Sequence, residues 1–260
     1  MKTAVITGGS SGIGLATARL FSLKGYKVYE LSRHGASKDG IIHIDCDITD
    51  DVQVVSAFNK IANENETIDV LVNNAGMGIS GPVEFTKEED MKKQFDVNFF
   101  GMVRCVKAVL KYMRKQGFGK IINLSSVAAE LSIPYQTFYS ASKSAINAFT
   151  LATANEVKPF KIKVCAVMPG DVSTGFTANR EKSEEGAEVY KSLKKSVATM
   201  EHDEINGLTP EYIAKRIYKQ AKKKRPKVLT TCGVSYKFFV ILAKFLPIRF
   251  VNFVVGKLYS

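Results

Sequence analysis

The sequence predicts a single α/β domain built on a doubly wound parallel sheet, with helices on both faces and a basic amphipathic extension at its carboxyl end. Three observations support this prediction. The 260 residues are the usual size of one such domain and suffice to bury a core without disulfides. Short β-branched runs alternate with longer helical stretches. Runs that are apolar throughout are typical of parallel strands covered on both faces.

Seven short apolar runs are predicted to form the strands. The first run is followed at once by a glycine-rich loop, and the last follows a lysine-rich segment. Right-handed crossovers between such strands give a doubly wound sheet. The runs are AVIT (4–7), KVYEL (27–31), IIHI (41–44), DVLV (69–72), KIINL (120–124), KVCAV (163–167) and VLTT (228–231).

The helices are predicted from apolar residues at helical spacing. The stretch 13–23 has such residues on one face, and Gly25 lies just past its end as a stop signal. Further helices are predicted over 51–62, 88–116 and 137–156, and from about Thr209–Pro210 onward.

One connection departs from this alternation. Residues 173–208 are polar, contain EKSEEG and join a strand to a helix. A connection of this length is unusual and is often an active-site lid. We therefore predict a catalytic domain over 1–234, with a substrate lid at about 173–208. Residues 235–260 form an extension that is not a separate domain.

The formal net charge of +12 lies entirely in the last fifth of the chain. Residues 1–211 carry 25 charges of each sign, whereas residues 212–260 carry twelve Lys and Arg and no Asp or Glu. A neutral body gives no reason to expect a nucleic-acid partner. The chain opens on a strand and not on an apolar leader, so we expect a cytoplasmic location, peripheral to the membrane if the extension binds lipid.

Cysteine and histidine spacing gives no metal site. The four cysteines lie far apart without a C-x-x-C pair, and the three histidines are scattered. This excludes a zinc ribbon and gives no hint of a secreted disulfide framework. We expect no bound metal.

The loop TGGSSGIG, from Thr7 to Gly14, follows a strand and opens a helix. This is the context of a dinucleotide-binding loop: Gly8 permits the turn, Gly12 lets the backbone approach a pyrophosphate, and Gly14 lets the helix pack on the strand. A plain glycine turn is the alternative. The predicted phosphate-binding residues are Gly8, Ser10, Ser11, Gly12, Ile13 and Gly14.

Arg33 decides which dinucleotide we expect. A carboxylate at the end of the second strand would bond the ribose 2′-hydroxyl of NAD, but this chain has Ser32-Arg33-His34 there. A guanidinium can bind a 2′-phosphate, and Glu30 should point away from the loop tip. We predict NADP(H), with NAD(H) as the second choice; the alternative is a solvated loop charge.

The stretch from Ile121 to Lys143 predicts carbonyl chemistry. Ser126 follows a strand end, and Tyr139 and Lys143, four residues apart, share a helix face. An ammonium beside a phenol lowers the phenol's pKa, which suits proton exchange with a substrate oxygen that Ser126 also binds. Taken alone, a Tyr-x-x-x-Lys pair is more often a solvated helix face.

Together these motifs resemble the short-chain dehydrogenase/reductase family, in the family's order from residue 7 to 174. Ser126 lies thirteen residues before Tyr139, as in that family. The resemblance implies a Rossmann-like catalytic domain. The matching motifs are TGGSSGIG (7–14), Asp47-Ile48, Asn73-Asn74-Ala75-Gly76, Asn98 in DVNFFG, Ser126, Tyr139-x-x-x-Lys143, and Pro169-Gly170 with Thr174.

The resemblance also implies roles for these residues. Asn98, Ser126, Tyr139 and Lys143 would form a catalytic tetrad, in which Asn98 holds a water; the alternative for Asn98 is a core amide bonded to backbone. Lys143 would also bind the nicotinamide ribose. The other implied cofactor-binding residues are Asp47 and Ile48 at the adenine, and Asn74, Ala75, Gly76, Pro169, Gly170 and Thr174 along the cleft.

Mostly apolar residues are expected to form the substrate walls, which suits a lipophilic carbonyl or alcohol. The sequence is most similar to the hydroxysteroid, retinol and acyl-dihydroxyacetone-phosphate reducing branches. A 3-oxoacyl reductase, or a membrane-peripheral regulator that binds cofactor without turnover, is the alternative. The expected walls are Met77, Ala128, Leu131, Ile133, Tyr135, Met168 and residues 173–205.

The extension has two interpretations. Residues 236–259 are basic, aromatic and interrupted at Lys244, Pro247 and Arg249, so they are too broken to span a bilayer. They would either lie on a membrane surface or pack on the protein. The resemblance also implies that subunits pair through two long helices, here near residues 99–116 and 137–157, and often a second time through the carboxyl-terminal strand and helix. About thirty residues follow the predicted last strand and would obstruct this second pairing, so we expect a homodimer and not a tetramer.

Overall fold

The computed structural model describes residues 1–259, and its main feature is a seven-stranded parallel sheet. The strands are β1 (Thr3–Thr7), β2 (Lys27–Ser32), β3 (Ile41–Asp45), β4 (Val70–Asn73), β5 (Ile79–Ser80), β6 (Gly119–Leu124), β7 (Ile162–Met168), β8 (Glu181–Lys182) and β9 (Leu229–Thr231). Seven of these strands form the main sheet in the order β3-β2-β1-β4-β6-β7-β9, and β5 and β8 form a separate pair. The predicted doubly wound sheet and its seven strands are confirmed.

The helices cover both faces of this sheet. They are α1 (Gly12–Leu23), α2 (Asp51–Asn63), α3 (Glu88–Phe95), α4 (Gly101–Gln116), α5 (Thr137–Glu156), α6 (Leu193–Ile205), α7 (Pro210–Lys222), α8 (Val234–Ala243) and α9 (Ile248–Leu258). The region predicted as one helix over 88–116 is two helices, because a π-helical turn at Asp96–Phe100 lies between α3 and α4. Such turns occur often at functional sites.

Alternate residues of each strand pack into two separate cores. On β1, Val5 faces α2, α4 and α5, whereas Ala4 and Ile6 face α1 and α7. This period-2 arrangement buries both faces, which explains why the strands are apolar throughout.

The long connection and the extension contain regular structure. The predicted lid holds β8, which pairs with β5 in a separate two-stranded sheet, and α6. The extension is two helices, and α9 starts after Pro247, whose ring has no N–H to continue α8. Within residues 1–259 none of the helices has the length and apolarity needed to cross a bilayer.

Candidate active site

One cleft of about 1500 Å³ opens at the carboxyl ends of the central strands. Its floor includes Gly8 after β1, Asn74 after β4, Ser125 after β6 and Pro169 after β7. From β1 the chain adds β2 and β3 toward one edge of the sheet, and from β4 it adds β6, β7 and β9 toward the other edge. The cleft therefore lies between β1 and β4, where the strand order reverses. Doubly wound sheets bind ligands at this point.

The glycine loop forms a tight cradle at one end of the cleft. Gly8 has a φ of +64° and its N–H donates to the carbonyl of Leu31 (2.7 Å). A Cβ on Gly14 would lie 2.0 Å from the carbonyl oxygen of Gly8, so only glycine fits. At the start of α1, Ser11 makes no side-chain capping bond and the first turn holds no acid. The N–H groups there are therefore free for a phosphate.

Asn74 holds this cradle in place. Its Nδ2 donates to the carbonyls of Thr7 (3.0 Å) and Gly8 (3.1 Å), and the backbone N–H of Ala75 donates to Thr7 Oγ1 (3.1 Å). The backbone cradle thus fits a dinucleotide pyrophosphate. The binding roles of these residues stay predictions, although the structure places all of the following on the cleft: Gly8, Ser10, Ser11, Gly12, Ile13, Asn74, Ala75 and Gly76.

Arg33 lies exposed on the rim of the same end. Glu30 does not face this rim: it is 3% exposed and lies against His43 and Ser32 under the loop. Burial lowers the pKa of His43, but hydrogen bonds with Asp45 and Glu30 outweigh burial and raise it. Of these two residues, Arg33 and not Glu30 has its charge exposed at this rim.

The predicted adenine and cleft residues also come together. Asp47 Oδ1 accepts from the N–H and the hydroxyl of Thr49 (2.9 and 2.8 Å), and Ile48 packs against Gly101 at the start of α4. Across the cleft, the residues after β7 form the other wall. The lining includes Asp47, Ile48, Pro169, Gly170 and Thr174.

Ser126, Tyr139 and Lys143 meet at the centre of the cleft. Ser126 Oγ accepts from the N–H of Ala128 (3.1 Å), which fixes the serine after β6. Tyr139 and Lys143 lie on one face of α5, with the ammonium 5.5 Å from the tyrosine ring centroid. Lys143 Nζ donates to the carbonyl of Leu124 (2.9 Å) and is 5% exposed.

Burial dominates the titration of this pair. It raises the pKa of Tyr139 to about 12, which hydrogen bonding with Ser126 only partly offsets. Burial also lowers the pKa of Lys143 to about 8. The prediction that Lys143 lowers the pKa of Tyr139 is therefore not met in this structure. The reason is that the buried phenol loses its hydration, and the nearby carboxylates of Glu204 and Asp171 also disfavour the phenolate.

Asn98 lies in the π-helical turn beside the cleft, and it is bonded to protein. Its Oδ1 accepts from the N–H of Met77 (2.8 Å), and its Nδ2 donates to the Met77 carbonyl (3.0 Å) and to Ser142 Oγ (3.1 Å). It is 1% exposed and does not line the cleft. These contacts match the core-amide alternative, and its role in holding a water stays a prediction.

Most expected substrate walls line the cleft, but two do not. The hydroxyl of Tyr135 lies 2.6 Å from Ser192 Oγ, and Met168 is buried with its sulfur bonded to Asn147. Both were expected from their nearness in sequence to the catalytic residues. The lining residues are Met77, Ala128, Leu131 and Ile133.

The lid segment contributes contacts that the sequence analysis did not single out. The ring of Phe176 lies 5.8 Å from that of Tyr139, and the guanidinium of Arg180 lies 5.8 Å from the Phe176 ring. The fully buried Arg180 side chain pairs with Glu204, which also accepts from Thr177 (2.6 Å). The only earlier signal was the unusual length of this connection.

The extension packs on its own domain and roofs the cleft. Tyr236 of α8 donates to Asp171 Oδ2 (2.6 Å), and its ring lies flat against Gly170, where a Cβ would be 2.4 Å from the ring. Residues of both α8 and α9 line the cleft. Of the two interpretations of the extension, packing on the protein is therefore observed for one face, and membrane contact stays a prediction for the other.

Comparisons with known proteins agree with this geometry. The family pattern described as "short chain dehydrogenase" matches residues 2–185. The chain is 44% identical over 233 residues to 3-ketodihydrosphingosine reductase of Bacteroides thetaiotaomicron, covering 88% of this chain and 87% of that protein. It is 34% identical over 251 residues to the probable short-chain type dehydrogenase/reductase VdlC of Helicobacter pylori, covering 94% and 93%.

Solved structures show the same fold. A short-chain dehydrogenase from Streptomyces avermitilis superposes with a TM-score of 0.84 at 28% identity, covering 94% of this chain and 92% of that one. ElxO with NADP bound gives a TM-score of 0.75 at 28% identity, covering 91% and 99%. The matched sequence and the shared fold confirm the resemblance seen in the motifs. The chain therefore belongs to the short-chain dehydrogenase/reductase family and is an oxidoreductase.

Proposed function

We propose that the protein is an NADP(H)-dependent oxidoreductase of lipophilic carbonyl and hydroxyl groups, with 3-ketodihydrosphingosine as the first candidate substrate. One observation carries the proposal: a single cleft joins Ser126, Tyr139 and Lys143 to an apolar roof. The Bacteroides protein named 3-ketodihydrosphingosine reductase supports a long-chain ketone.

Each catalytic side chain has a role that follows from its position. A nicotinamide bound in the cleft supplies the hydride for a carbonyl carbon. Tyr139 gives its phenolic proton to the carbonyl oxygen, and the Ser126 hydroxyl polarises that oxygen by a hydrogen bond. A pKa of about 12 keeps the phenol protonated and ready to donate at neutral pH. Lys143, beside the Tyr139 ring, stabilises the charge that forms there.

The preference for NADP(H) rests on Arg33. An exposed guanidinium at the rim attracts a phosphate, whereas Glu30 is buried under the loop beside His43. The NADP bound to ElxO supports this choice. NAD(H) remains the second cofactor.

Charge in the cleft favours an amino ketone over a 3-oxoacyl substrate on an anionic carrier. The carboxylates of Asp171, Asp203 and Glu204 line the same cleft as the catalytic residues and the roof, although Glu204 is paired with Arg180 and Asp171 accepts from Tyr236. 3-Ketodihydrosphingosine carries an amine beside its carbonyl, which carboxylates attract, whereas they repel an anionic carrier. A regulator without turnover would need only the dinucleotide cradle, so the complete catalytic set favours an enzyme.

We further propose a cytoplasmic homodimer that lies at the membrane surface. Phe100 at the start of α4 and Leu151 on α5 are exposed where these two helices would pair between subunits. Phe245 and Ile248 of the extension are 82% and 77% exposed, beside basic residues that suit anionic lipid. Light scattering measures the number of subunits, and a tetramer would contradict the proposed homodimer.

The function is tested by following NADPH oxidation with a panel of carbonyls. The panel contains 3-ketodihydrosphingosine, a 3-oxoacyl thioester, a steroid ketone and retinal, each repeated with NADH. We expect the fastest turnover with the amino ketone and NADPH. Preferred turnover of the thioester would replace the first candidate by the 3-oxoacyl alternative, and binding of NADPH without turnover of any carbonyl would support the regulator.

A further inference from the structure

We infer that the inner face of the α8–α9 pair is the binding site for the hydrocarbon chain of the substrate. The inference rests on the proposed reduction of a long-chain ketone, and it adds the part of the molecule that selects the chain. The family pattern ends at residue 185, so this site is a property of residues beyond it.

The residues that line the cleft recur at helical spacing. On α9 they are Phe250 and the positions i, i+3, i+4 and i+7 counted from Val251, and on α8 they likewise fall on one side. Each helix therefore presents a continuous strip to the cleft. The strips consist of Phe239, Leu242 and Ala243 on α8, Leu246 between the helices, and Phe250, Val251, Val254, Val255 and Leu258 on α9.

The basic residues of the extension are absent from this strip. Lys237, Lys244, Arg249 and Lys257 do not line the cleft. Among residues 234–259, polar side chains line the cleft only where the strip meets the domain, at Ser235, Tyr236 and Tyr259. A roof with an apolar strip and no charge suits methylene groups and offers no counter-ion to a polar ligand.

The roof is attached at the end nearest the catalytic residues. Tyr236 bonds to Asp171, and Val240 of the same helix is 5% exposed. The substrate's carbonyl would lie at Ser126 and Tyr139 on the floor, so the hydrocarbon chain of the substrate would extend along the strip. The geometry thus places the reacting carbonyl at the centre of the cleft and the hydrocarbon chain along the roof of the same cleft.

Matched variants distinguish the inner face from the outer face. Ala243→Phe and Val255→Phe add bulk inside the cleft. Ile241→Phe and Ile248→Phe add bulk at exposed positions outside it, on the same two helices. NADPH binding, measured by fluorescence, shows that each variant is folded.

The assay compares a short and a long straight-chain ketone of one homologous series. For the wild-type protein we expect KM to fall by up to about fourfold for each methylene added to the ketone, until the strip is filled. The inner variants should raise KM for the long ketone at least about tenfold and leave the short ketone nearly unchanged. The outer variants should change neither. Equal effects on both ketones, or a KM independent of chain length, would overturn the inference.

A binding measurement separates this inference from the proposed function. If no ketone is reduced, the proposed function fails, but a fluorescent long-chain alcohol still reports on the strip. Weaker binding of this probe to Ala243→Phe than to Ile241→Phe supports the chain site, and equal binding to the two variants overturns it.

Discussion

The hydroxyl of Tyr236 lies 2.6 Å from the carboxylate of Asp171, two residues after Pro169 at the end of β7. This bond joins the extension to the loop that borders the catalytic cleft. Burial raises the pKa of Asp171, and bonding to the phenol acts in the opposite direction. The contact therefore stabilises a carboxylate that is otherwise poorly hydrated.

Tyr236→Phe should loosen the roof. The variant leaves the Asp171 carboxylate without its donor, and a hydrogen bond to a charged group contributes roughly 1.5–3 kcal/mol. For a chain of this length we expect Tm to fall by several degrees. Tyr190→Phe is the control, because its hydroxyl bonds to Glu84 at an exposed position (2.9 Å). Equal Tm values for the two variants would show that the Tyr236 bond is not stabilising.

Tyr139→Phe should abolish nearly all turnover while NADPH still binds. The ring keeps its contact with Phe176, and only the proton donor is lost. General acids contribute about a hundredfold or more to rate. Steady-state rates and NADPH fluorescence measure the two effects. A variant that retains more than about a tenth of the rate would contradict the assignment.

Arg33→Ala should raise KM for NADPH far more than for NADH. Loss of a charge-assisted phosphate contact costs about tenfold to a hundredfold in affinity. Ser32→Asp should act in the same direction by repulsion. Arg19→Ala is the control, since Arg19 pairs with Asp39 at the surface and does not line the cleft. An equal rise for both cofactors would identify Arg33 as a solvated charge.

Replacing Lys143 should change how stability depends on pH. Burial lowers its pKa from 10.5 to about 8, so between these values the unfolded chain holds a proton that the folded chain has lost. The wild type should therefore gain stability relative to Lys143→Met as pH rises from 8 toward 10, with the variant's advantage largest below pH 8. Denaturant unfolding of both proteins measures this difference.

The wild type and Lys143→Met must be compared at each pH, because other groups titrate in the same pH range. Burial raises the pKa of Cys46 and Cys232 to about 11 and that of Cys165 to about 12, which lowers stability as the unfolded thiols ionise. Those effects cancel between the two proteins. A stability difference that stays constant from pH 7 to 10 would show that Lys143 is not titrating.

The extension should bind anionic vesicles in a salt-dependent way. Each basic residue near an anionic surface contributes about 1 kcal/mol, and screening weakens this as salt rises. Co-sedimentation with phosphatidylserine vesicles is compared with phosphatidylcholine vesicles and with a variant that carries four glutamines. Failure to sediment at any salt concentration would contradict membrane contact. The four replaced residues are Lys237, Lys244, Arg249 and Lys257.

The floor of the site could be predicted from sequence because each of its parts is local. Strands showed as apolar runs, and Ser126, Tyr139 and the glycine loop stand at fixed offsets from strand ends. The π-helical turn at Asp96–Phe100 was missed, because a widened turn leaves the helical pattern of 88–116 almost intact.

The roof could not be predicted in the same way. Spacing shows which side of a helix is apolar, but not which surface covers it, and Tyr236 lies 65 residues from Asp171 in sequence. The direction of the pKa shift of Tyr139 could not be predicted for a similar reason. The direction of the shift depends on how deeply the phenol is buried and on the carboxylates of Glu204 and Asp171, which lie far from Tyr139 in sequence.

The loop after β7 belongs to two sites at once. Thr174 lies 3.5 Å from the place of a Cβ on Gly12 in the phosphate cradle, while Gly170 and Asp171 hold Tyr236 of the roof. Any free energy of ordering this loop is common to both sites, so we expect binding in the cradle and packing of the roof to affect each other equally. We therefore expect a change at the roof to alter affinity in the phosphate cradle, although the two sites do not touch.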